Sequence, residues 1–326
     1  MKQFFGVLFG GLAAIGIGVS FAYGSLVAWR AVRPHIAWIH SADSTAAVVP
    51  SAEEARDLDD GTSISGMRRT VRYTASEEED LFSAAAHSLA VGADGRVTAT
   101  SYLVKNLSTN IVTTERDADK LLPIASLTKL ATAVVARKLI GVDERIIVGP
   151  KIMATYGNTA GFRAGETFKA SDLMYPLLMV SSNDSAEAFA LAYDRPRFIK
   201  AMNEWAQSIG AYRTYFYDAS GLSPDNVSTA NDLAIMLDWI RENDPAIIDI
   251  TLMKSKTLRS HTWINPTHFL SWSYYLGGKN GYTTEANRTS ASLFALGKNK
   301  NVYAIIILGS GNRDADVIKL LEKVRE

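Results

Sequence analysis

The hydrophobic pattern divides the chain into three parts. After Lys2 an uncharged run extends from Phe4 to Trp29, closed by Arg30 and Arg33. Its 26 residues exceed the roughly 20 that a spanning helix needs and the roughly 7–15 of a secretory signal's apolar core. No A-x-A cleavage pattern accompanies it, so residues 1–33 are predicted to be an uncleaved membrane anchor. Charge on both flanks leaves its orientation open. From Pro34 to Ser76 no apolar period survives among Ser, Ala, Thr, Asp and Glu. Residues 34–80 are predicted to be a linker or stalk, and residues 81–326 the folded domain.

Inside that domain the periods change several times. Val97–Lys105 and Ile111–Glu115 are predicted strands around a turn at Asn106–Asn110. Ser126–Ile140 is a predicted helix, with Leu127, Leu130, Ala131, Val134 and Ala136 supplying an apolar face. Met174–Tyr193 is a second helical region, interrupted by Ser181-Ser182-Asn183, and Asp232–Arg241 is a third. Ser290–Leu296 and Val302–Leu308 are strands joined at Gly297–Asn301. Val317, Leu320, Leu321 and Val324 mark a closing amphipathic helix. Strands at both ends with helices between them predict an α/β (α+β) domain: one sheet drawn from distant parts of the chain, plus a helical region.

Composition narrows the chemistry. The 326 residues carry 34 basic and 34 acidic side chains, a formal net charge of zero. No long basic run is present, so no nucleic-acid partner is expected. The chain has no cysteine, which excludes disulfides, thiolate metal sites and a Cys nucleophile. His35, His40, His87, His261 and His268 form no H-E-x-x-H pair, and there is no G-x-S-x-G elbow. No metal and no cofactor are expected.

Three short motifs remain. Ser126-Leu127-Thr128-Lys129 places Lys129 one helical turn from the Ser126 hydroxyl. A serine needs a base to become a nucleophile, and a lysine can be that base only if its pKa falls. Alone, the motif also fits a helix start with a solvated Lys. Ser181-Ser182-Asn183 is a polar break in an apolar stretch. It fits a helix cap, or a cleft wall with Ser181 as proton relay and Asn183 as an amide clamp on substrate. Lys279-Asn280-Gly281 follows Gly277-Gly278, where the missing side chains would let a ligand backbone approach. It also fits a plain turn.

In this order the motifs match S-x-x-K, S-D-N and K-T-G. The Gly165-Glu166 and Leu173–Ala190 region, then Asp218-Ala219-Ser220-Gly221-Leu222 and Ser228-Thr229-Ala230-Asn231-Asp232-Leu233-Ala234, extend the match over about residues 85–326. The chain resembles the low-molecular-mass penicillin-binding proteins, the serine-type D-alanyl-D-alanine carboxypeptidase family. That resemblance implies a β-lactamase/transpeptidase-like fold: a mainly antiparallel sheet flanked by helices, with a helical subdomain. It implies Ser126 as acylated nucleophile, Lys129 as general base, Ser181 and Asn183 as the second cleft wall, and Lys279 as a charge stabiliser. Asn280, Gly281, Tyr282 and Thr283 would bind substrate, and the N–H groups of Ser126 and Tyr282 would form the oxyanion hole. The implied partners are a peptidoglycan stem peptide and covalently inhibiting β-lactams. The domain would lie on the extracytoplasmic side of the membrane, in the periplasm or facing the cell wall.

Asn280 departs from the family's Thr. Its longer side chain with a broad terminal torsion predicts weaker recognition of a substrate carboxylate. Two alternatives therefore stand beside the carboxypeptidase: a D,D-endopeptidase and a non-catalytic peptidoglycan-binding protein. A β-lactamase is disfavoured, because Gly221-Leu222 and Ser228-Thr229-Ala230 stand where its deacylating Glu would fall.

Overall fold

The computed structural model describes residues 96–325. The predicted anchor 1–33, the linker 34–80 and the domain start at 81–95 lie outside the described residues. Among the described residues no helix is long and apolar enough to cross a membrane.

Strands β1 (Ser101–Asn106) and β2 (Ile111–Arg116) form the first hairpin. Asn106 Oδ1 accepts from the N–H groups of Ser108 and Thr109 at 2.9 and 3.1 Å, which makes the turn. A two-residue strand, β3 (Leu122–Pro123), leads to helix α1 (Thr128–Leu139). Strand β4 (Arg145–Ile147), helix α2 (Pro150–Met153) and strand β5 (Thr167–Lys169) follow. Then come helices α3 (Ala170–Met179), α4 (Asn183–Tyr193) and α5 (Arg195–Ser208), strand β6 (Val227–Ser228), and helices α6 (Ala230–Asn243) and α7 (Pro245–Leu252). The hairpin β7 (Ser255–Leu258) and β8 (His261–Ile264) precedes three long strands, β9 (Tyr275–Thr283), β10 (Asn287–Leu296) and β11 (Asn301–Ser310). Helix α8 (Arg313–Arg325) closes the chain.

The main sheet runs β2-β1-β11-β10-β9, antiparallel throughout. The first and last strands meet directly: Ser101 opposes Leu308 and Lys105 opposes Ala304. Alternation sorts the strand β11 side chains. Ile305 and Ile307 pack with Tyr102, Val104 and Phe294 against Val317, Ile318, Leu320 and Leu321 of α8. Ala304, Ile306 and Leu308 join Leu103, Ala291 and Leu293 in the core shared with the other helices. Both faces of the central strands are thus covered, which is why they read as near-continuous apolar runs. Helix α1 is buried from Thr128 to Ala136, so it has no solvent face along most of its length.

Several boundaries differ from the sequence pattern. Strand β1 starts at Ser101 rather than Val97, because Thr98 turns to α8: its N–H and hydroxyl donate to Asp316 at 2.8 and 2.7 Å. Ser126 lies in a 3-10 turn, Ala125–Leu127, and α1 begins after it. The region 174–193 is two helices: Ser181 sits at φ 59 and Ser182 caps α4, accepting from Ser185 N–H at 3.0 Å. The apolar segment of α7 is too short for its period to tell a helix from a strand. Gly277 and Gly278 make room for the protein rather than for a ligand. A Cβ at Gly277 would lie 2.6 Å from Thr251 Oγ1, and one at Gly278 2.3 Å from Ala291 O.

Candidate active site

Ser126 is presented by a turn that cannot be helical. Ala125 has φ 47, in the left-handed region that non-glycine residues seldom occupy. The carbonyl of Ala125 lies against Gly221, where a Cβ would sit 1.9 Å from its oxygen. Only glycine leaves that space, and at φ 83 only glycine takes the conformation without strain. The Gly221 loop is in turn shaped by Asp218. Its Oδ1 accepts from Ser220 N–H, Gly221 N–H and the Ser220 hydroxyl at 2.7, 2.6 and 3.0 Å, and its Oδ2 accepts from Ser223 N–H at 2.7 Å.

Lys129 lies one turn beyond Ser126 with no solvent exposure. Its Nζ is 2.9 Å from Ser126 Oγ, 2.8 Å from Asn183 Oδ1 and 2.6 Å from the Ser220 carbonyl oxygen. Burial holds its pKa well below the usual lysine value, and the charge of Lys279 adds to that; Asp218 and Asp184 pull the other way. A neutral amine has two protons and one lone pair. In that neutral form the Asn183 and Ser220 oxygens take the two protons and the lone pair is left for the Ser126 hydroxyl; in the charged form all three oxygens accept from Nζ.

The second wall comes from the start of α4. Asn183 bridges, its Oδ1 on Lys129 and its Nδ2 donating to Tyr156 O at 2.9 Å. It therefore positions Lys129 as well as facing the cleft, a duty the motif did not announce. The Ser181 hydroxyl is buried with no hydrogen-bond partner among the described residues. Asp184, next to Asn183 in sequence, is fully buried, and burial pushes its pKa up to about 6.

Strand β9 supplies the third wall. Lys279 is 5% exposed, and its Nζ donates to Asn280 O at 2.7 Å. Burial, then the charge of Arg313, lower its pKa to about 7. Gly281 lies against the turn that carries Ser126: a Cβ there would be 2.8 Å from Ser126 N. This brings the backbone of β9 beside the Ser126 N–H, as an oxyanion pocket between Ser126 and Tyr282 requires. Tyr282 projects outward, 62% exposed. A cavity of about 500 Å³ has Ser126, Ser181, Asn183, Lys279, Asn280, Gly281, Tyr282 and Arg313 among its lining residues.

Of the predicted residues, Lys129 lies beneath the cavity, and Thr283 is not part of its wall. Thr283 Oγ1 accepts from Ala286 N–H at 3.0 Å and belongs to the β9–β10 turn. Arg313, Asp218 and Ser220 were not anticipated. The G-L stretch signalled the loop but not that its carbonyl holds Lys129. Arg313 carried no local signal beyond standing at a helix start. Among the described residues no cluster of ligating side chains could hold a metal.

Comparison with known proteins agrees with the geometry. A family model described as D-alanyl-D-alanine carboxypeptidase matches residues 87–310. A D-alanyl-D-alanine endopeptidase of Pseudomonas aeruginosa is 30% identical over 234 residues, spanning 68% of this chain and 75% of its own. The crystal structure of a D-alanyl-D-alanine carboxypeptidase from Mycobacterium tuberculosis superposes with a TM-score of 0.65 at 25% identity, covering 71% of this chain and 92% of that one. A Listeria monocytogenes penicillin-binding protein in its cefotaxime-bound form gives 0.64 at 26% identity, covering 71% and 98%. The chain belongs to the D-alanyl-D-alanine carboxypeptidase family of serine peptidases.

Proposed function

We propose that this enzyme is a D-alanyl-D-alanine carboxypeptidase that removes the terminal D-alanine from peptidoglycan stem peptides through an acyl-enzyme at Ser126. Neutral Lys129 takes the Ser126 proton as Oγ attacks the penultimate D-alanine carbonyl. The N–H groups of Ser126 and Tyr282 receive the developing oxyanion. Breaking the C–N bond requires a proton on the leaving amine; protonated Lys129 gives up the proton it took from Ser126, relayed by the Ser181 hydroxyl that shares the cavity, and is neutral again for the second step. Water then attacks the ester, and Lys129 takes the water's proton and returns one to Ser126.

One observation carries the choice of reaction. Lys279, Asn280 and Arg313 converge on the same cavity as Ser126. Two cations and an amide suit a carboxylate directly after the scissile bond, as in a free D-Ala terminus. A second reading, D,D-endopeptidase, is favoured by the naming of the Pseudomonas aeruginosa relative. Product analysis separates them: free D-alanine from a stem pentapeptide supports the carboxypeptidase. Cleavage of a cross-linked dimer to monomers, with no D-alanine released from the pentapeptide, replaces it with the endopeptidase.

The same cleft should be acylated by β-lactams, which mimic the terminus and carry a carboxylate; the Listeria relative is named in a cefotaxime-bound form. The apolar run from Phe4 to Trp29 supports a membrane-anchored enzyme with its catalytic domain outside the cytoplasm. Carbonate-resistant retention of the full-length chain in the membrane fraction checks this, and a shortened chain in the aqueous fraction argues for cleavage.

A further inference from the structure

Asn280 is the family departure in the cleft, and its side chain is held by a neighbour on the next strand. Ser290 lies directly opposite it in the β9–β10 register. Cross-strand partners share a face of the sheet, and the Ser290 hydroxyl donates to Asn280 Oδ1 at 3.0 Å. Ser290 Oγ is also 2.9 Å from Ser292 Oγ. Ser290 and Ser292 are both buried, at 0% and 1% exposure.

A hydroxyl has one proton to give. Ser290 gives its proton to Asn280, because a carbonyl oxygen can only accept. Ser290 must then accept from Ser292. The chain runs one way, Ser292 to Ser290 to Asn280.

Oδ1 is pinned to Ser290, and the NH₂ has no hydrogen-bond partner among the described residues while Asn280 lines the cavity. We infer that Ser290, backed by Ser292, is a positioning residue for substrate specificity: it locks the Asn280 amide so that its NH₂ is presented as a carboxylate donor where the family uses a threonine hydroxyl. The broad torsion that made Asn280 look like a poor substitute is removed by the relay. Asn280 and Ser290 then work as a pair, and the substitution Asn280→Thr brings no gain.

The inference rests on the carboxypeptidase reading for its substrate, and its test separates the two. Kinetics are measured on a stem pentapeptide with a free terminal carboxylate and on its terminal carboxamide, for wild type, Ser290→Ala, Ser290→Thr, Asn280→Thr and the Asn280→Thr/Ser290→Ala double variant. Ser290→Ala should lower kcat/KM on the free acid by about fivefold to tenfold, mostly through KM, and by less than about twofold on the carboxamide. Ser290→Thr, which keeps the hydroxyl, should restore the acid preference. In the Asn280→Thr background the Ser290→Ala change should cost nothing further, since a threonine hydroxyl needs no amide lock.

Equal losses on acid and carboxamide, or the same loss in the Asn280→Thr background, would overturn the inference. So would a marked gain from Asn280→Thr alone. If wild type releases no D-alanine, the carboxypeptidase reading fails by itself. The relay is then judged by acylation rates with benzylpenicillin and its methyl ester, where Ser290→Ala should reduce the preference for the free acid. An unchanged preference rejects the relay. Thermal unfolding of each variant identifies any that lose the fold.

Discussion

Lys129 and Lys279 are both buried primary amines in one cleft, yet their surroundings differ. Lys129 is wrapped by three oxygens and has Asp218 and Asp184 within electrostatic reach. Lys279 donates to the Asn280 carbonyl and faces a second cation, Arg313. Burial lowers both pKa values, but the next influence on Lys279 is Arg313 and the next on Lys129 is Lys279 itself. The cations form a series in which each disfavours charge on the next one inward. The proposed reaction wants a base at Ser126 and a cation at the substrate terminus, and the series offers both from one residue type. Because the amines interact, the observed titration belongs to the pair.

The largest test of this contrast removes the inner end. Ser126→Ala should abolish covalent labelling by fluorescent penicillin, and Lys129→Ala should lower the labelling rate by about 10⁴-fold or more with the fold retained. Persistent labelling in both variants would mean that another serine is attacked.

Next in size is the loop that holds Lys129 from below. Gly221→Ala puts a methyl group 1.9 Å from Ala125 O, so the turn carrying Ser126 must shift. Acylation should fall by about 10²-fold, the scale expected when a reacting group moves by about 1 Å. Normal acylation by this variant would show that the loop does not set the geometry.

A smaller effect probes the outer end. Lys279 is charged below its pKa of about 7 and neutral above it, so kcat/KM on a free-acid substrate should fall as pH rises through that region. Arg313 lowers this pKa; Arg313→Gln should therefore raise it and move the alkaline limb upward, while KM for the free acid also rises. Burial is the larger cause, so the limb should not reach an ordinary lysine value. An unmoved limb would mean that Lys279 is not the titrating group.

The smallest effect concerns Asp184. Its folded pKa of about 6 lies above the unfolded value of roughly 3.9. The folded state then holds more protons between those values, and stability falls as pH rises through the window. Asp184→Asn should flatten the Tm-against-pH curve between about pH 4 and 6. A curve of unchanged slope would place the titration elsewhere.

How much of this was readable from the chain depends on distance in sequence. Ser126 and Lys129 are three residues apart, so their juxtaposition follows from helical spacing, although the turn before α1 does not. The apolar pattern also marked β10, β11 and α8, whose faces are fixed by period. Ser290 reaches Asn280 only through strand register, and Arg313 reaches the cleft only after β10 and β11 have paired. Nothing local distinguishes either from a surface Ser or Arg. Asp218 is hidden for another reason: its work is done through backbone N–H groups, which any sequence possesses.

The joining of β1 to β11 has a consequence for how the enzyme is made. Strand β11 lies between β1 and β10, so the sheet has a missing middle until one of its last strands has been synthesised. Ser101 must then find Leu308 across most of the domain, a contact of high sequence separation that slows folding. Until that happens, the apolar edges of β1 and its hairpin partner are open to wrong pairing. Lys279 is likewise held in no fixed relation to Ser126. Activity should therefore emerge late and all at once during refolding, in step with burial of Ile305 and Ile307 rather than with the earlier appearance of helix.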